Sequence, residues 1–402
     1  MMGLMSTLFG NGKQNKQTAK RVNHTANAAK GSSSSSQGGL NWAQLITDEP
    51  QNQLTVYDPA GNPLKLKESN QKGCGGEGTV YEFAQNPRYL IKVYKQEILG
   101  NPVRMKELRS RILDMTLMQQ CIQMPFLAWP CMPVMNGKKE VIGFAMRKSE
   151  GRSLLSLRGP ASVQKFFPGW DRRDLVRVSL DFVTKLRQLV NAGVMVNDFN
   201  PDNFRIDRNG RVSFIDCDSY QVPDSRGGVH ITRTFFPSHT APELLLDPKQ
   251  LNRPRNLHQV EFCAALTVFN ILMMQLHPYS YIDHTRKSAC GTPDENLRRG
   301  RCPLGVGSDC CLPRGGWYNL WSCLNYRMKT VFIETFKDGH SDPAKRAPLG
   351  KLLNGLSTLL YEMEQDPARR TLTPAVPYRK PGSFQPGTEN NPQFGKPFRK
   401  IA

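Results

Sequence analysis

The sequence lacks any segment that would lead the chain into or across a membrane. Its first residues have neither the basic region nor the long apolar stretch of a secretory signal peptide. The longest apolar run, Phe262–Met274, has 13 residues and includes Asn270, whereas a membrane-spanning helix needs about 20 apolar residues. This run predicts a buried helix, and we expect a cytoplasmic protein without a membrane span.

Cysteine pairs at metal-binding spacing are also missing. There are ten cysteines, but they form no C-x-x-C pair and no short framework of the kind that disulfides stabilise in secreted domains. Free thiols in a reducing compartment are therefore the simpler interpretation, and zinc binding stays open as an alternative. The cluster to which both interpretations apply is Cys290, Cys302, Cys310, Cys311 and Cys323.

Acidic residues are scarce compared with basic ones. The chain has 34 Asp and Glu against 54 Lys and Arg, a net charge of +20. About half of this excess lies in two polar terminal segments, 1–40 and 366–402, of which the first is rich in Gly and Ser and the second in Pro. Such segments bury too little apolar surface to offset the entropy lost on ordering. They are predicted to be disordered basic tails, and no specific nucleic-acid partner is expected from them.

Between the tails the apolar pattern changes from strands to helices. From Asp171 to Gly193, apolar residues recur at three- and four-residue spacing, which predicts an amphipathic helix. A strand-rich half followed by a helix-rich half indicates an α+β fold. We expect a small antiparallel β-rich N-lobe at about 41–148 and a larger α-helical C-lobe at about 149–365. The predicted elements of the N-lobe are a helix from Pro102 to about Gln120 and the strands Leu54–Pro59, Pro63–Glu68, Thr79–Ala84, Tyr89–Lys95, Phe126–Pro130 and Val141–Met146.

A glycine-rich segment fits the pattern G-x-G-x-x-G-x-V. The residues that match the named positions of this pattern are Gly73, Gly75, Gly78 and Val80. The glycines would let the backbone close over nucleotide phosphates, and the valine would cover the base. Alone the pattern is weak, because a glycine-rich hairpin turn fits it equally well. A dinucleotide-binding fold requires a helix after the glycines, and the sequence predicts a strand there.

Lys92 lies in the next apolar strand, 14 residues after Gly78. It could simply be a lysine that reaches solvent from a sheet edge. The functional interpretation is a cation that contacts the α- and β-phosphates of a nucleotide and is held by a carboxylate from the following helix. Glu107, 15 residues further on, is the expected partner. Glu97 is less suitable because it lies too close behind the strand to turn back.

The segment from Asp198 to Asp216 carries the strongest chemical pattern. Asp198 and Asn203 are five residues apart. This spacing is typical of a carboxylate that orients an acceptor hydroxyl and accepts its proton, followed by an amide that holds Mg²⁺. A turn and the apolar strand Val212–Ile215 come next, and Asp216 then stands where a second Mg²⁺ ligand is expected. Any one aspartate could be an ordinary turn residue, but their order and spacing favour a phosphoryl-transfer site.

Two later landmarks fit the same order. Ala241-Pro242-Glu243 follows Asp216 at 25 residues and matches the A-P-E motif that ends an activation segment. Arg346 precedes the final amphipathic helix and is the expected buried partner of Glu243.

With these motifs, the chain resembles the Hanks-type protein kinase superfamily and, more narrowly, bacterial kinases associated with tellurite-resistance and phosphatase gene clusters. The resemblance extends from about residue 71 to 350. It implies a bilobal kinase fold, ATP and Mg²⁺ as cofactors, a protein Ser/Thr hydroxyl as the acceptor and a cognate phosphatase as a candidate partner. The segments that carry it are FLAWPCMPV, VIGFAMRKSEGRSLL, VNDFNPDNFRID, VSFIDCDSYQV, HTAPELL, QLHPYS and FIETFKDGHSDPAKRAP.

The chain also departs from the superfamily pattern. The departures are Val196-Asn197 in place of His-Arg, Asn200 in place of Lys, Asp218 in place of Gly and Val260 in place of Asp. Val196-Asn197, Asn200 and Val260 motivate a second interpretation, a pseudokinase that binds ATP and signals as a scaffold.

The leading interpretation is a protein Ser/Thr kinase that uses Mg-ATP. In this interpretation Lys92 anchors the phosphates, Glu107 positions Lys92, Asp198 orients the acceptor hydroxyl, and Asn203 and Asp216 hold the metal. A small-molecule phosphotransferase is a third possibility, against which the A-P-E motif argues. A nucleic-acid binder is a fourth, and it rests only on the basic tails.

Overall fold

The computed structural model describes residues 53–67, 71–283, 288–289, 291–305 and 311–379. The predicted tail at 1–40 lies outside the described residues, as do Cys290 and Cys310.

A single antiparallel sheet forms the N-lobe. Its strands follow the order β2-β1-β6-β7-β5-β4-β3. Because alternate residues of a strand face opposite sides, Ile91 and Val93 pack with the apolar residues of β1 and β2, while Phe144 belongs to the core shared with the helices. The strands are β1 (Gln53–Tyr57), β2 (Pro63–Lys67), β3 (Gln71–Cys74), β4 (Gly78–Glu82), β5 (Tyr89–Tyr94), β6 (Pro130–Met135) and β7 (Val141–Arg147).

The strand predicted at Phe126–Pro130 is wrong in position, because β6 starts only at Pro130. Phe126–Trp129 instead form a buried segment before β6 that contacts the C-lobe. Leu127 makes a parallel bridge to Phe214, and Ala128 N donates to Phe214 O at 2.9 Å. These residues are apolar because they are buried between the two lobes, a burial that apolar pattern alone cannot distinguish from a strand.

The helices before β6 lie with the N-lobe sheet, and those after β7 build the C-lobe. Among the described residues the C-lobe also contains a three-stranded sheet and two strand pairs. The helices are α1 (Gln96–Leu99), α2 (Pro102–Leu117), α3 (Gln119–Ile122), α4 (Gly159–Phe166), α5 (Arg172–Asn191), α6 (Pro242–Leu246), α7 (Leu257–Leu272), α8 (Pro293–Arg298), α9 (Gly316–Ser322), α10 (Tyr326–Ile333) and α11 (Leu349–Gln365). The further strands are β8 (Arg152–Ser153), β9 (Phe204–Ile206), β10 (Val212–Phe214), β11 (Val222–Pro223), β12 (Val229–His230), β13 (Ile282–Asp283) and β14 (Ser288–Ala289). The predicted α+β class with two lobes is confirmed.

Helix α5 has the start and stop signals that the sequence predicts. Asp171 caps its first turn and forms a capping box with Asp174, which satisfies backbone N–H groups that the helix leaves unpaired. The chain leaves the helix at Gly193, whose φ of +76° lies in the left-handed region that favours glycine. Between these ends, the apolar residues of α5 are buried on one face.

Helix α7 contains the apolar run noted in the sequence. From Gln259 to Leu272 every residue is buried, so this helix forms the centre of the C-lobe core. Among the described residues no helix is long and apolar enough to cross a membrane.

Residues 366–379 correct the predicted boundary of the second tail. They pack against the C-lobe instead of remaining free of it. Arg370 O accepts from Arg172 N at 2.9 Å, Arg369 pairs with Glu362 at 2.6 Å, and Leu372 is buried. Composition alone missed this because a few well-placed contacts offset the ordering cost of a short segment. The rest of the predicted tail, 380–402, lies outside the described residues.

The predicted ion pair between Glu243 and Arg346 is confirmed. The guanidinium donates to both carboxylate oxygens, with Nη1–Oε1 at 2.9 Å and Nη2–Oε2 at 2.7 Å. It also donates to the carbonyl oxygens of Gly339 and His258. The Arg346 side chain is fully buried, so these contacts satisfy a charge that water does not reach.

We expect Glu243→Ala to destabilise the protein by about 3 kcal/mol, because it leaves a buried guanidinium without its carboxylate. The exposed pair of Glu334 with Lys351 provides the control, and Glu334→Ala should cost no more than about 1 kcal/mol. Urea unfolding of both variants measures the difference. Equal stability of the two variants would contradict the assigned role of the pair.

The packing of 366–379 predicts that a chain ending at Arg379 is more stable than one ending at Gln365. Exposure and loss of the Leu372 contact alone costs about 2 kcal/mol, which corresponds to about 3 °C in melting temperature for a folded chain of this size. Thermal unfolding of both truncated chains tests this. Equal melting temperatures would show that the segment adds no stability.

Candidate active site

Asp198 and Asn203 lie in the loop between α5 and β9. Asn203 Nδ2 donates to Asp198 Oδ2 at 3.0 Å, and the backbone N–H of Asn200 donates to Asp198 Oδ1 at 3.2 Å. These two donors fix the carboxylate in one orientation. The predicted pair is therefore brought into contact.

Asp216 follows β10 and faces the same region. Ile215 N donates to Asn203 O at 2.9 Å, which aligns the end of β10 with the Asp198 loop. Asp216 has φ 57° and ψ 37°, a left-handed conformation that is uncommon for residues other than glycine. Its side chain keeps 40% exposure, so the carboxylate is accessible to a ligand.

Lys92 reaches this segment from β5 in the N-lobe. Its Nζ lies 2.6 Å from Asp216 Oδ1 and 2.9 Å from each oxygen of Asp218. The hydroxyl of Tyr94 donates to Asp218 Oδ2 at 2.8 Å. Gly143 of the neighbouring strand lies so close to Lys92 that an added Cβ would fall 2.0 Å from the Lys92 carbonyl oxygen. A buried cation thus joins the two lobes.

The predicted contact between Glu107 and Lys92 is wrong. Glu107 lies on α2, but its side chain is 59% exposed and pairs loosely with Arg233 at 3.8 Å. The buried face of the helix carries Met105, Leu108 and Ile112 instead. Sequence spacing placed a glutamate on the expected helix but did not determine which face of the helix it occupies.

Burial and neighbouring charges set the ionisation of the site. Burial raises the pKa of Asp198. It also raises the pKa of Asp216, and the nearby charge of Asp218 adds to this effect. Burial opposes the charged forms of Asp218 and Lys92, but their attraction outweighs it, so the pKa of Asp218 is lowered and that of Lys92 is raised. Lys92 and Asp218 are therefore both charged at neutral pH.

The glycine-rich segment is a hairpin between β3 and β4. Gly75 N donates to Gly78 O at 2.9 Å, and a Cβ added at Gly73 would meet no atom within 4 Å. Gly78 is different, because a Cβ there would lie 2.8 Å from Val93 O. Val80 is directly opposite Lys92 in the register of β4 and β5.

Glu77 connects this hairpin with its surroundings. It forms an ion pair with Arg104 in the first turn of α2. Its charge also contributes to the raised pKa values of Asp198 and Asp216. The charge of the hairpin therefore acts on both aspartates.

Neutral hydrogen bonds hold the Asp198 loop where the sequence departs from the superfamily pattern. Met195 and Gln221 exchange two backbone hydrogen bonds of 3.0 Å each. Asn197, at the position of the usual arginine, donates through its amide to the hydroxyl of Thr232. Thr232 in turn donates to Ser219 O at 2.7 Å. Val260 is buried in α7 and offers no side-chain hydrogen bond.

A histidine–aspartate contact ties α2 to the hairpin of β11 and β12. His230 Nε2 lies 2.6 Å from Asp114 Oδ2, and Ser225 N donates to the same oxygen at 3.2 Å. Asp224 lies close to both side chains but binds Arg226, with Oδ2–Nη2 at 3.0 Å. Each member of this group therefore already has a partner within the protein, and we call the contact of Asp114 with His230 and Ser225 the α2 clasp.

The late cysteines do not join such a group. Within the part of the chain that the structure describes, Cys302, Cys311 and Cys323 are buried, and none lies in a set of three ligand-type side chains. Burial raises the pKa of the Cys302 thiol to about 12.

No family model matches the chain. It is similar to "Protein kinase YegI" of Escherichia coli O157:H7 and of strain K12, at 28% identity over 230 and 231 residues. These matches cover 56% of this chain and 34% of each relative. The matched part is thus about a third of the length of the relatives.

A solved structure with a similar fold is the kinase domain of ROP18 in complex with AMP-PNP and sucrose. It superimposes with a TM-score of 0.51 at 17% sequence identity. The similarity covers 79% of this chain and 87% of that one, so it includes both lobes.

Proposed function

We propose that this chain, which has the bilobal fold of the protein-kinase-like superfamily, is an ATP-dependent protein Ser/Thr kinase. The observation that carries the proposal is the meeting of Lys92 with Asp216 beneath a glycine-rich hairpin, next to the hydrogen-bonded pair of Asp198 and Asn203. Phosphoryl transfer depends mainly on positioning and on stabilising negative charge, and these residues supply both.

The residues present fit ATP and Mg²⁺. Mg²⁺ prefers oxygen ligands and commonly uses one or two carboxylates together with substrate phosphates. Asp216 offers an accessible carboxylate. Asn203 donates through its amide nitrogen to Asp198, which leaves the amide oxygen as its metal-binding atom. The open space around Gly73 and Gly76 accommodates close approach of phosphate to the backbone.

Each side chain then has one task. Mg-ATP supplies the phosphoryl group and the metal charge. Lys92 would hold a fixed positive charge against the phosphates, and Asp216 with Asn203 would hold the metal. Asp198, oriented by its two donors, positions the acceptor hydroxyl and accepts its proton. The raised pKa of Asp198, caused by its burial, makes it a better base than an ordinary aspartate.

A protein acceptor is favoured over a small molecule because the A-P-E segment is anchored as in a substrate-binding lobe. Glu243 of that segment is held by the buried Arg346. A protein substrate, a bacterial cytoplasmic setting and a cognate phosphatase belong to the same proposal.

A pseudokinase is the second candidate. It is favoured by the direct 2.6 Å contact between Lys92 and Asp216, in which the phosphate anchor and the metal ligand neutralise each other. It is also favoured by the uncharged Asn197 before Asp198. Such a protein would bind ATP and act as a scaffold without transferring phosphate.

Incubation of the protein with radiolabelled ATP, Mg²⁺ and a generic Ser/Thr substrate tests the proposal. We expect transfer by the natural sequence and a loss of about 100-fold or more in Asp198→Asn and in Asp216→Asn, since each removes a group that acts on the transferring phosphoryl. Asp202→Asn is the matched control, because Asp202 is exposed in the same loop.

Two outcomes would decide against this proposal. Nucleotide binding without transfer in the natural sequence would identify the pseudokinase. Near-normal transfer by folded Asp198→Asn would remove the role given to Asp198.

The contact of Asn197 with Thr232 predicts that activity does not depend on phosphorylation of the activation segment. The Asn197 side chain has no charge with which to bind a phosphate. The Thr232 side chain is buried, and its hydroxyl is hydrogen-bonded to Ser219 O. Phosphatase treatment, followed by mass spectrometry and initial-rate measurement, should change the rate by less than tenfold. Thr232→Val should lower the rate by about fivefold or more through the lost hydrogen bonds.

Thr234→Val is the control, because Thr234 is exposed in the same segment and should tolerate the change. A tenfold fall in rate after dephosphorylation would show that another basic residue reads a phosphate in this segment.

A further inference from the structure

We propose that Asp218 is the positioning residue for Lys92, in the role that the sequence predicts for Glu107. This inference rests on the proposed kinase function for its catalytic meaning. Its structural content, an obligatory Lys92–Asp218 pair between the lobes, stands independently.

The geometry around Asp218 is that of a built ion pair. Lys92 Nζ lies 2.9 Å from both carboxylate oxygens, and Tyr94 donates to Oδ2 at 2.8 Å. Asp218 is only 1% exposed and Lys92 is buried as well. Buried charges are stable only when they are paired and hydrogen-bonded, so each of the two residues requires the other.

Helix α2 offers no alternative partner. Its two acidic residues are Glu107 and Asp114. Glu107 faces Arg233, and Asp114 is engaged in the α2 clasp with His230 and Ser225. Arg111 adds a positive charge on α2, and this charge favours the ionised form of Asp218. A carboxylate from α2 is therefore replaced by one from the segment after β10.

Asp216 and Asp218, two residues apart on one short segment, then have different roles. Asp216 keeps an accessible carboxylate for a ligand, whereas Asp218 is buried and cannot leave Lys92 without exposing a charge to an apolar environment. When Asp216 binds another cation, the pair with Asp218 keeps Lys92 in place. The segment after β10 thus supplies both the metal ligand, Asp216, and the partner of Lys92, Asp218. The position of Lys92 does not depend on the placement of α2.

A double-mutant cycle in the nucleotide-free protein tests the pairing. Its members are the natural sequence, Lys92→Met, Asp218→Asn and the double variant, and urea unfolding gives their stabilities. We expect both single variants to be destabilised and the double variant to lose clearly less than the sum, because it leaves no buried charge alone. Additive losses would overturn the pairing.

Kinetics of the same four proteins test the positioning role. We expect Asp218→Asn to lower kcat by at least about 30-fold at saturating ATP, as removal of a group that orients a catalytic charge does. In the Lys92→Met background the same change should have no further effect on kcat. Glu107→Gln is the control and should stay within about twofold of the natural sequence, since its pair with Arg233 is exposed.

An independent effect of Asp218→Asn in the Lys92→Met background, or an equal fall in kcat with Glu107→Gln, would overturn the proposal. If Asp218→Asn does not fold, Tyr94→Phe is the milder variant. It removes one hydrogen bond from Asp218 and should lower kcat by about fivefold, and an unchanged kcat would count against the role.

The two proposals fail in different ways. If the natural sequence transfers no phosphate, the kinase proposal fails, while the unfolding cycle still decides on the pair. Binding of a fluorescent non-hydrolysable ATP analogue to the four proteins then replaces kcat, with the same non-additivity expected.

Discussion

The buried positive charge of Lys92 is the constraint around which the two lobes are arranged. An ammonium group removed from water must have carboxylate partners, and none comes from its own sheet or from α2. The partners lie in the segment after β10, so β5 must approach that segment closely. Gly143, beside Lys92, has no room for a side chain. The buried segment Phe126–Trp129 also contacts β10, through the bridge of Leu127 to Phe214. The packing of the sheet and the contact between the lobes therefore both help to fix the position of Lys92 Nζ.

The positions that depart from the superfamily pattern are compensated by local contacts. Where a charged arginine is usual, Asn197 reaches Thr232 by a neutral hydrogen bond. Where a helix aspartate would brace the loop, Val260 fills the core, and the backbone bridge of Met195 with Gln221 holds the loop. Asp218 provides a carboxylate in place of a glycine. The first two replacements share one property, since each exchanges a charged side chain for a hydrogen bond to the segment that carries Asp216.

The sequence predicts which candidate residues come together better than it predicts their partners. Order and spacing single out Lys92, Asp198, Asn203 and Asp216, and the structure brings Lys92 to Asp216 and Asn203 to Asp198. Glu107 could not be judged, because a spacing of 15 residues predicts the helix but not its rotation, and one helical turn spans less than four residues.

Burial explains the remaining differences. Phe126–Trp129 and a strand have the same apolar character, and only the folded lobes show which surface covers them. Asp218 was noted only as a replacement for glycine, since nothing in the sequence indicates that its neighbours in space are Lys92 and Tyr94. The signal that could have identified it is a second aspartate two residues after Asp216 in an otherwise apolar stretch. Residues 366–379 were assigned to a tail because composition averages over contacts as specific as that of Arg369 with Glu362.

The α2 clasp gives the N-lobe helix a mechanical connection to the surface of the C-lobe. Asp114 joins the helix to the hairpin of β11 and β12, and Arg104 at the other end joins it to Glu77 in the glycine-rich hairpin. Helix α2 thus connects the β11–β12 hairpin with the glycine-rich hairpin. Movement of the exposed β11–β12 loop would therefore be passed along α2 to the glycine-rich hairpin, while Lys92 stays with Asp218.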